Sequence, residues 1–130
     1  MELNEYQVKA MTTCTKSCRN FSYMMLNLVG EVGELASKVA KAIRKKEAYV
    51  GQTDALYPDS DLYYNPDLLD DLDYNDRMRH LKLEAGDILW QLSGLCNVMG
   101  WKLEDVAQAN LDKLASRQER CKIIGDGDDR

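Results

Sequence analysis

Apolar residues recur at intervals of three and four along most of this chain, which is the spacing of one face of an α-helix. The repeat is strong at about residues 22–46 and 76–99, shorter at 104–121 and weakest at 4–18. The positions that define the three stronger stretches are Met25, Leu28, Val32, Leu35, Val39 and Ile43, then Leu81, Ile88, Leu92, Leu95 and Met99, and finally Ala107, Leu111 and Leu114. The pattern predicts an all-α fold with four helices.

Polar residues and glycine mark the predicted helix ends. Ser22 is a plausible N-cap for the second helix, because a hydroxyl can accept a bond from a backbone N–H of the first turn. Gly100 follows the third helix at the position where a left-handed residue often ends a helix. Glu104 and Asp105 lie in the first turn of the fourth helix, where the helix dipole favours negative charge.

Residues 47–75 differ from the rest of the chain. They contain eight acidic side chains without Lys or Arg, both prolines (Pro58 and Pro66), and five of the seven tyrosines. Proline interrupts a helix, so we expect an insert between the second and third helices. We predict one helical domain over residues 1–124 that carries this insert, followed by a flexible tail at 125–130.

Composition narrows the classes of function. The net charge is −5, which disfavours binding to a nucleic-acid backbone because that normally requires a basic surface. No apolar run reaches the roughly 20 residues of a membrane span, and the N-terminus has no signal peptide pattern. The four cysteines form no C-x-x-C pair, and we interpret them as reduced thiols of a cytoplasmic protein. The spacing of Cys14 and Cys18 leaves half of a soft-metal site as an alternative.

Two pairs of carboxylates stand three residues apart, Glu31 with Glu34 and Glu84 with Asp87. Residues at this spacing are neighbours on a helix surface, and both pairs fall at the edge of an apolar stripe. If the two stripes pack together, the four carboxylates meet, and a hard divalent cation would offset their repulsion. All-oxygen ligands suit Mg²⁺, with Mn²⁺ as the alternative.

Glycines flank these pairs at Gly30, Gly33 and Gly86. Each glycine within a helix costs about 1 kcal/mol relative to alanine. We therefore expect a group to approach the backbone closely there. The competing interpretation is that the two carboxylate pairs are only solvent-exposed acidic faces of their helices.

Basic and polar residues supply the matching charge for phosphate. Asn110, Lys113 and Arg117 share one face of the fourth helix, and Arg can bind a phosphate through two parallel hydrogen bonds. Lys38 lies on the same face as Glu31 and either binds phosphate or forms an ion pair within its helix. His80, the single histidine, is interpreted as a half-exposed structural residue. A di-iron bundle is excluded, because it needs Glu-x-x-His motifs on two helices.

These motifs resemble the MazG-like nucleoside triphosphate pyrophosphohydrolases. Glu31-x-x-Glu34 with Glu84-x-x-Asp87 is similar to the E-x-x-E and E-x-x-D signature of that family. The resemblance extends to the run from Asn110 to Arg117, similar to the closing N-x-x-K-x-x-x-R helix, and to Leu3-Asn4-Glu5-Tyr6-Gln7. The chain departs from the family in the 49 residues between Glu34 and Glu84, a much longer connection than is usual.

The resemblance implies an all-α bundle of four to five helices that oligomerisation completes, as a homodimer or homotetramer. It implies that the four carboxylates bind Mg²⁺ and that water attacks an NTP or dNTP, giving the monophosphate and pyrophosphate. Glu34 is the expected proton acceptor, and Lys38, Asn110, Lys113 and Arg117 are the expected phosphate ligands. The alternative is a non-catalytic helical binding module that docks through its acidic insert. In the enzyme, we expect the insert to act as a lid or a subunit contact.

Overall fold

The computed structural model describes residues 1–50, 62–64 and 71–120. These residues form four α-helices, a single 3₁₀ turn and a two-stranded ribbon, so the all-α prediction is confirmed. In chain order the elements are α1 (Leu3–Met11), the 3₁₀ turn (Lys16–Cys18), α2 (Phe21–Arg44), β1 (Ala48–Val50), β2 (Leu62–Tyr64), α3 (Asp71–Val98) and α4 (Leu103–Glu119).

The chain divides into two compact units. The terminal unit contains Met1–Met24 with Leu92–Arg130, and the central unit contains Met25–Gln91. The predicted single-domain boundary at residue 124 and the predicted tail lie outside the described residues. None of the described helices is long and apolar enough to cross a membrane.

The terminal unit has a small core of sulfur-containing and aliphatic side chains. Met11, Met24, Cys96 and Leu103 are buried there. Gly94 belongs to the same core, because a Cβ at this position would overlap the sulfur of Met24. The close approach of this backbone to a buried methionine therefore requires glycine.

Two side chains of α1 cap the N-terminus of α4. Gln7 is 8% exposed; its amide donates to the Trp101 carbonyl at 3.0 Å and accepts from the Leu103 N–H at 2.9 Å. Asn4 accepts from the Glu104 N–H at 3.2 Å and donates to the Glu104 carboxylate at 2.7 Å. Backbone groups that a helix start leaves unbonded are thus satisfied from a neighbouring helix.

The first helix is shorter than predicted. It ends at Met11, because the hydroxyls of Thr12 and Thr13 bond to carbonyls three residues earlier, at 2.6 and 2.7 Å. The Arg19 guanidinium also donates to the Met11 carbonyl at 3.4 Å. Side chains therefore satisfy the final carbonyls of α1, and the prediction of a helix over residues 4–18 was wrong.

The predicted N-cap of α2 was also wrong. Ser22 lies inside the helix, and the cap is Asn20, whose Oδ1 accepts from the Tyr23 N–H at 2.8 Å. Both residue types are good caps, so the sequence did not separate them. The third helix begins at Asp71 instead of Asp76, with aspartates in the first turn where the helix dipole favours them.

Two helices end in the same hydrogen-bonded turn. After α3, Gly100 has a φ of +72°, as predicted, and the Trp101 N–H bonds a carbonyl five residues back at 2.8 Å. After α2, Lys46 takes this place with a φ of +61°, and the Glu47 N–H makes the equivalent bond at 2.9 Å. Lysine lacks the freedom of glycine at positive φ, so the second turn is strained.

The predicted insert is described only in part. Ala48–Val50 pairs antiparallel with Leu62–Tyr64, with Tyr49 opposite Tyr63. The prediction did not include these strands, although tyrosine and valine favour them. Pro58, Pro66 and the possible lid role lie outside the described residues.

The central unit buries small residues near the end of α2. Ala42 and Ala48 are almost fully buried, and Glu47 forms an ion pair with Arg77 of α3 at 2.8 Å. These contacts join the end of α2 to the N-terminal half of α3.

Candidate metal centre

Helices α2 and α3 bring three carboxylates together in the central unit. Glu31 of α2 and both Glu84 and Asp87 of α3 each offer an oxygen atom, and these atoms all lie within 4.8 Å of one another. We call these three residues the carboxylate cluster. The structure thus brings together three of the four residues predicted as metal ligands, from two different helices.

The helical repeat explains how each side of the cluster is positioned. Glu84 and Asp87 are three residues apart on α3, so their side chains project from neighbouring positions on one face. On α2, the Asn27 side chain lies one turn before Glu31 and donates to its Oε1 at 3.0 Å. Asn27 therefore orients one carboxylate of the cluster.

The surroundings of Glu31 change the pKa of its carboxyl group. The pKa of its carboxyl is raised above the ordinary value of 4.5, mainly because burial disfavours the charged form and next because Glu34 and Asp87 add negative charge. The bond from Asn27 acts in the opposite direction by favouring the carboxylate. A positive ion beside Glu31 would remove much of this penalty.

Glu34 lies on α2 one turn beyond Glu31 but is not one of the three clustered carboxylates. Its side chain is exposed and lines a shallow hollow of about 240 Å³ together with Gly30, Gly33 and Lys38. Glu34 still acts electrostatically on Glu31, whose pKa it raises. The predicted role of Glu34 as a fourth ligand stays a prediction.

Two of the flanking glycines face open space. A Cβ added at Gly33 or at Gly86 would meet no described atom within 4 Å outside its own helical neighbourhood. Near Gly30, the closest atom is Asn27 Oδ1, at 3.9 Å. Internal packing by described residues therefore does not explain the glycines, and the expected close approach of a ligand stays a prediction.

Lys38 pairs across the two helices. Its Nζ lies 2.7 Å from Glu84 Oε1, so the predicted alternative of a pair within its own helix is not what the structure shows. The Glu84 side chain is only 13% exposed. A carboxylate that is buried to this extent is destabilising unless a cation lies beside it. The ammonium of Lys38 offsets part of the negative charge of the cluster.

The predicted phosphate ligands of the closing helix all lie on α4, in the terminal unit. Asn110 and Lys113 are exposed, whereas Arg117 is 5% exposed. Arg117 is therefore not part of a solvated polar line. Their role as phosphate ligands stays a prediction.

The other candidate chemistries gain no support. His80 is half-exposed and lies 3.3 Å from an Asp76 oxygen, as expected of a structural histidine. Cys14, Cys18 and Cys96 are free thiols. Cys121 lies outside the described residues.

Two contributors to this region were not predicted. Asn27 orients Glu31, and its signal in the sequence is an amide one helical turn before an acidic residue, in a stretch that is otherwise apolar. The ion pair between Lys38 and Glu84 joins residues 46 positions apart, and periodicity gives no information about such a pairing.

The cluster fits a hard divalent cation. It offers three carboxylate oxygens without nitrogen or sulfur, which is the donor set that Mg²⁺ and Mn²⁺ prefer. Burial and the neighbouring carboxylates raise the pKa of Glu31, and a positive ion at the cluster would offset both effects. The residues present could therefore hold a metal ion.

Comparison with known proteins identifies the family of this chain. Residues 19–122 match the sequence model of the family described as MazG nucleotide pyrophosphohydrolase domain. Because this match spans most of the chain and includes the whole cluster, the protein belongs to that family. It is also similar to the Gene 37 protein of Mycobacterium phage L5, with 33% identity over the full length of both chains. No solved structure matches.

Proposed function

We propose that the protein hydrolyses a nucleoside or deoxynucleoside triphosphate to the monophosphate and pyrophosphate, with Mg²⁺ as the cofactor and Mn²⁺ as its substitute. The observation that carries this proposal is the convergence of Glu31, Glu84 and Asp87 within 4.8 Å, in a chain of the pyrophosphohydrolase family. Paired carboxylates from two helices are suited to hold a cation that also contacts phosphate oxygens.

In this proposal the cluster residues hold the metal ion. When bound, Mg²⁺ supplies positive charge that offsets the charge of the phosphates and makes a neighbouring water more acidic. Glu34 accepts the proton of the attacking water, because it is exposed beside the cluster and faces a hollow open to solvent. Glu34 also remains the proposed fourth ligand.

The basic residues would bind the phosphates. Lys38 is paired with Glu84 at 2.7 Å, and a cation bound at the cluster would compete with it for this carboxylate. Its ammonium would then be available to a phosphate oxygen. On α4, Asn110 and Lys113 are exposed and would bind phosphate as well. We include Arg117, which is 5% exposed, because its planar guanidinium suits a phosphate group.

A second copy of the chain would complete the fold. Leu26 and Val29 of α2 are 76% and 68% exposed, and Val32 continues the same face. On α4, Leu111 and Leu114 are exposed as well. Apolar faces of this extent are typical of interaction surfaces. We therefore propose a homodimer or homotetramer.

The test is release of pyrophosphate from a panel of NTPs and dNTPs with Mg²⁺, for the parent protein and the variants Glu34→Gln and Asp87→Asn. We expect turnover by the parent with at least one nucleotide and a loss of about 100-fold or more in kcat for both variants. Glu5→Gln is the matched control, because Glu5 is an exposed carboxylate of α1. Full activity in Asp87→Asn would contradict the assignment, and binding of nucleotide without release of pyrophosphate would favour a binding module.

A further inference from the structure

A larger cavity of about 390 Å³ lies between α2 and α3 in the central unit. Its lining includes Lys38 and Lys41 from α2, Lys45 just after the end of α2, and Arg77 from α3. We call this site the basic cavity. Lys38 also contacts Glu84 of the carboxylate cluster at 2.7 Å, so one residue connects the two sites.

The two sites follow one line along α2. Glu31, Glu34, Lys38 and Lys41 are spaced by three and four residues, which places them on one face of α2, and Lys45 follows at the same spacing just after the helix. At about 1.5 Å per residue, Lys38 lies roughly 10 Å and Lys41 roughly 15 Å along the axis from Glu31 of the cluster. The face is therefore acidic at its N-terminal end and basic at its C-terminal end.

The two outer lysines carry charge that the described chain does not balance. Among residues 1–50, 62–64 and 71–120, no ion pair joins Lys41 or Lys45 to a carboxylate, whereas Lys38 is paired with Glu84. Arg77 is held in place by Glu47 at 2.8 Å. The basic cavity thus combines two ammonium groups outside these ion pairs with one guanidinium that Glu47 holds.

Two acidic residues also line the basic cavity, Asp73 and Asp76. Asp76 is paired with the Arg79 guanidinium at 2.9 Å and lies 3.3 Å from His80. Its negative charge is therefore already matched by a neighbour on α3. Of the four basic groups, Lys38 and Arg77 are likewise paired, with Glu84 and Glu47. Lys41 and Lys45 therefore supply the charge by which the lining favours an anion.

We propose that the basic cavity binds the pyrophosphate end of the nucleotide, the β- and γ-phosphates, while the carboxylate cluster serves the α-phosphate. This inference rests on the proposed function. A chain of phosphates laid along α2 would meet a metal at the acidic end and ammonium groups at the basic end. Arg77 could bind one phosphate through two parallel hydrogen bonds.

The same arrangement assists departure of pyrophosphate. As the bond forms between the water oxygen and the α-phosphorus, the bond from that phosphorus to the bridging oxygen breaks. The electron pair stays on pyrophosphate, and Glu34 takes the proton of the water. Lys41 and Lys45 would then donate hydrogen bonds to the charge that develops on the leaving group, which favours the transition state.

Binding of inorganic pyrophosphate, measured by calorimetry with Mg²⁺ present, tests this inference without turnover. We expect Lys41→Ala with Lys45→Ala to weaken pyrophosphate binding by about tenfold per lysine, equivalent to about 1.4 kcal/mol each. Binding of a nucleoside monophosphate should stay within about twofold, because it has no β- or γ-phosphate. Arg77→Lys keeps the charge and should still weaken pyrophosphate binding, since the planar fork is lost.

Lys82→Ala is the matched control, because it removes an exposed lysine of α3 that does not line the basic cavity. Unchanged pyrophosphate affinity in the double variant would overturn the inference, even if the fold were less stable. An equal loss of affinity for the monophosphate would overturn it too. The lysines would then attract any anion, and they would not form a subsite for the β- and γ-phosphates. If the parent releases no pyrophosphate from any nucleotide, the proposed function fails, whereas a selective loss of pyrophosphate binding would still identify the subsite.

Discussion

Gln7 bonds with both ends of its amide while it is buried in the terminal unit. It accepts from the N–H of Leu103 and donates to the carbonyl of Trp101. Replacement by alanine leaves both backbone groups without this partner. Leaving a buried polar group unsatisfied costs roughly 1–3 kcal/mol.

We therefore predict that Gln7→Ala lowers the free energy of unfolding by about 1–3 kcal/mol, measured by urea denaturation. Gln108→Ala is the control, because Gln108 is exposed and its amide donates to the exposed side chain of Asp112 at 2.7 Å. It should cost less than about 0.5 kcal/mol. Equal effects of the two substitutions would contradict the capping role of Gln7.

Glu31 makes the stability of the metal-free protein depend on pH. Its pKa is raised in the folded state, so between the ordinary value of 4.5 and the folded value the folded protein binds more protons than the unfolded chain. The stability contribution is therefore most favourable at acidic pH and is lost as the pH rises through this range.

We predict that in EDTA at about pH 7.5 Glu31→Gln is more stable than the parent by roughly 0.5 kcal/mol, the size of repulsion between helix neighbours. The difference should shrink towards about pH 4.5. Adding Mn²⁺ should reverse the order, because the parent keeps all three carboxylates. Unfolding curves at three pH values measure this, and a variant that is less stable throughout in EDTA would refute the prediction.

At the scale of the helices, α2 and α3 keep glycines where packing does not require them. Open space adjoins Gly33, whereas Gly94 is packed against Met24. A glycine inside a helix costs about 1 kcal/mol relative to alanine. No described residue packs against Gly33, and we propose that a bound group uses this space.

We predict that Gly33→Ala raises the free energy of unfolding by up to about 1 kcal/mol and lowers kcat/KM for the nucleotide. Gly94→Ala is the contrast, because its methyl group must displace a buried methionine and should destabilise by about 1–3 kcal/mol. Thermal unfolding and pyrophosphate release provide the two measurements. A stabilised Gly33→Ala protein with full activity would show that no ligand occupies this space.

The helices themselves were predictable from the sequence, but several of their ends were not. Periodicity located α2, α3 and α4, because each has an apolar stripe at helical spacing. The end of α1 depends on Thr12 and Thr13, and the start of α2 on Asn20 in place of Ser22. In each case several neighbouring residues could end or cap the helix, and local three-dimensional contacts determine which of them does so. The strands are three residues each, too short for a period to be detected.

The site was predictable to the extent that it is local. Carboxylates three apart on one helix are neighbours, so the spacing together with the flanking glycines predicted that Glu84 and Asp87 lie side by side, and the structure brings them together with Glu31. The contact of Lys38 with Glu84 and the burial of Arg117 depend on tertiary packing. The basic cavity was missed for the same reason, because its residues come from two helices.

At the scale of the whole molecule, the exposed apolar face of α2 predicts self-association. We expect light scattering to give the mass of a dimer or tetramer for the parent protein. Leu26→Glu should shift the mass towards the monomer, since a charge buried in an interface is costly. Asn75→Glu adds the same charge at an exposed polar position of α3 and should leave the mass unchanged. A monomeric parent would contradict the proposal.

The central claim is that Glu31, Glu84 and Asp87 together hold the divalent cation on which nucleotide hydrolysis depends. Titration of Mn²⁺, followed by electron paramagnetic resonance, measures this directly. We predict binding by the parent and by Glu5→Gln, and a loss of about tenfold or more in affinity for Glu31→Gln, Glu84→Gln and Asp87→Asn, by analogy with the cost of perturbing a metal site. Equal Mn²⁺ affinity in the parent and the three cluster variants would contradict the account.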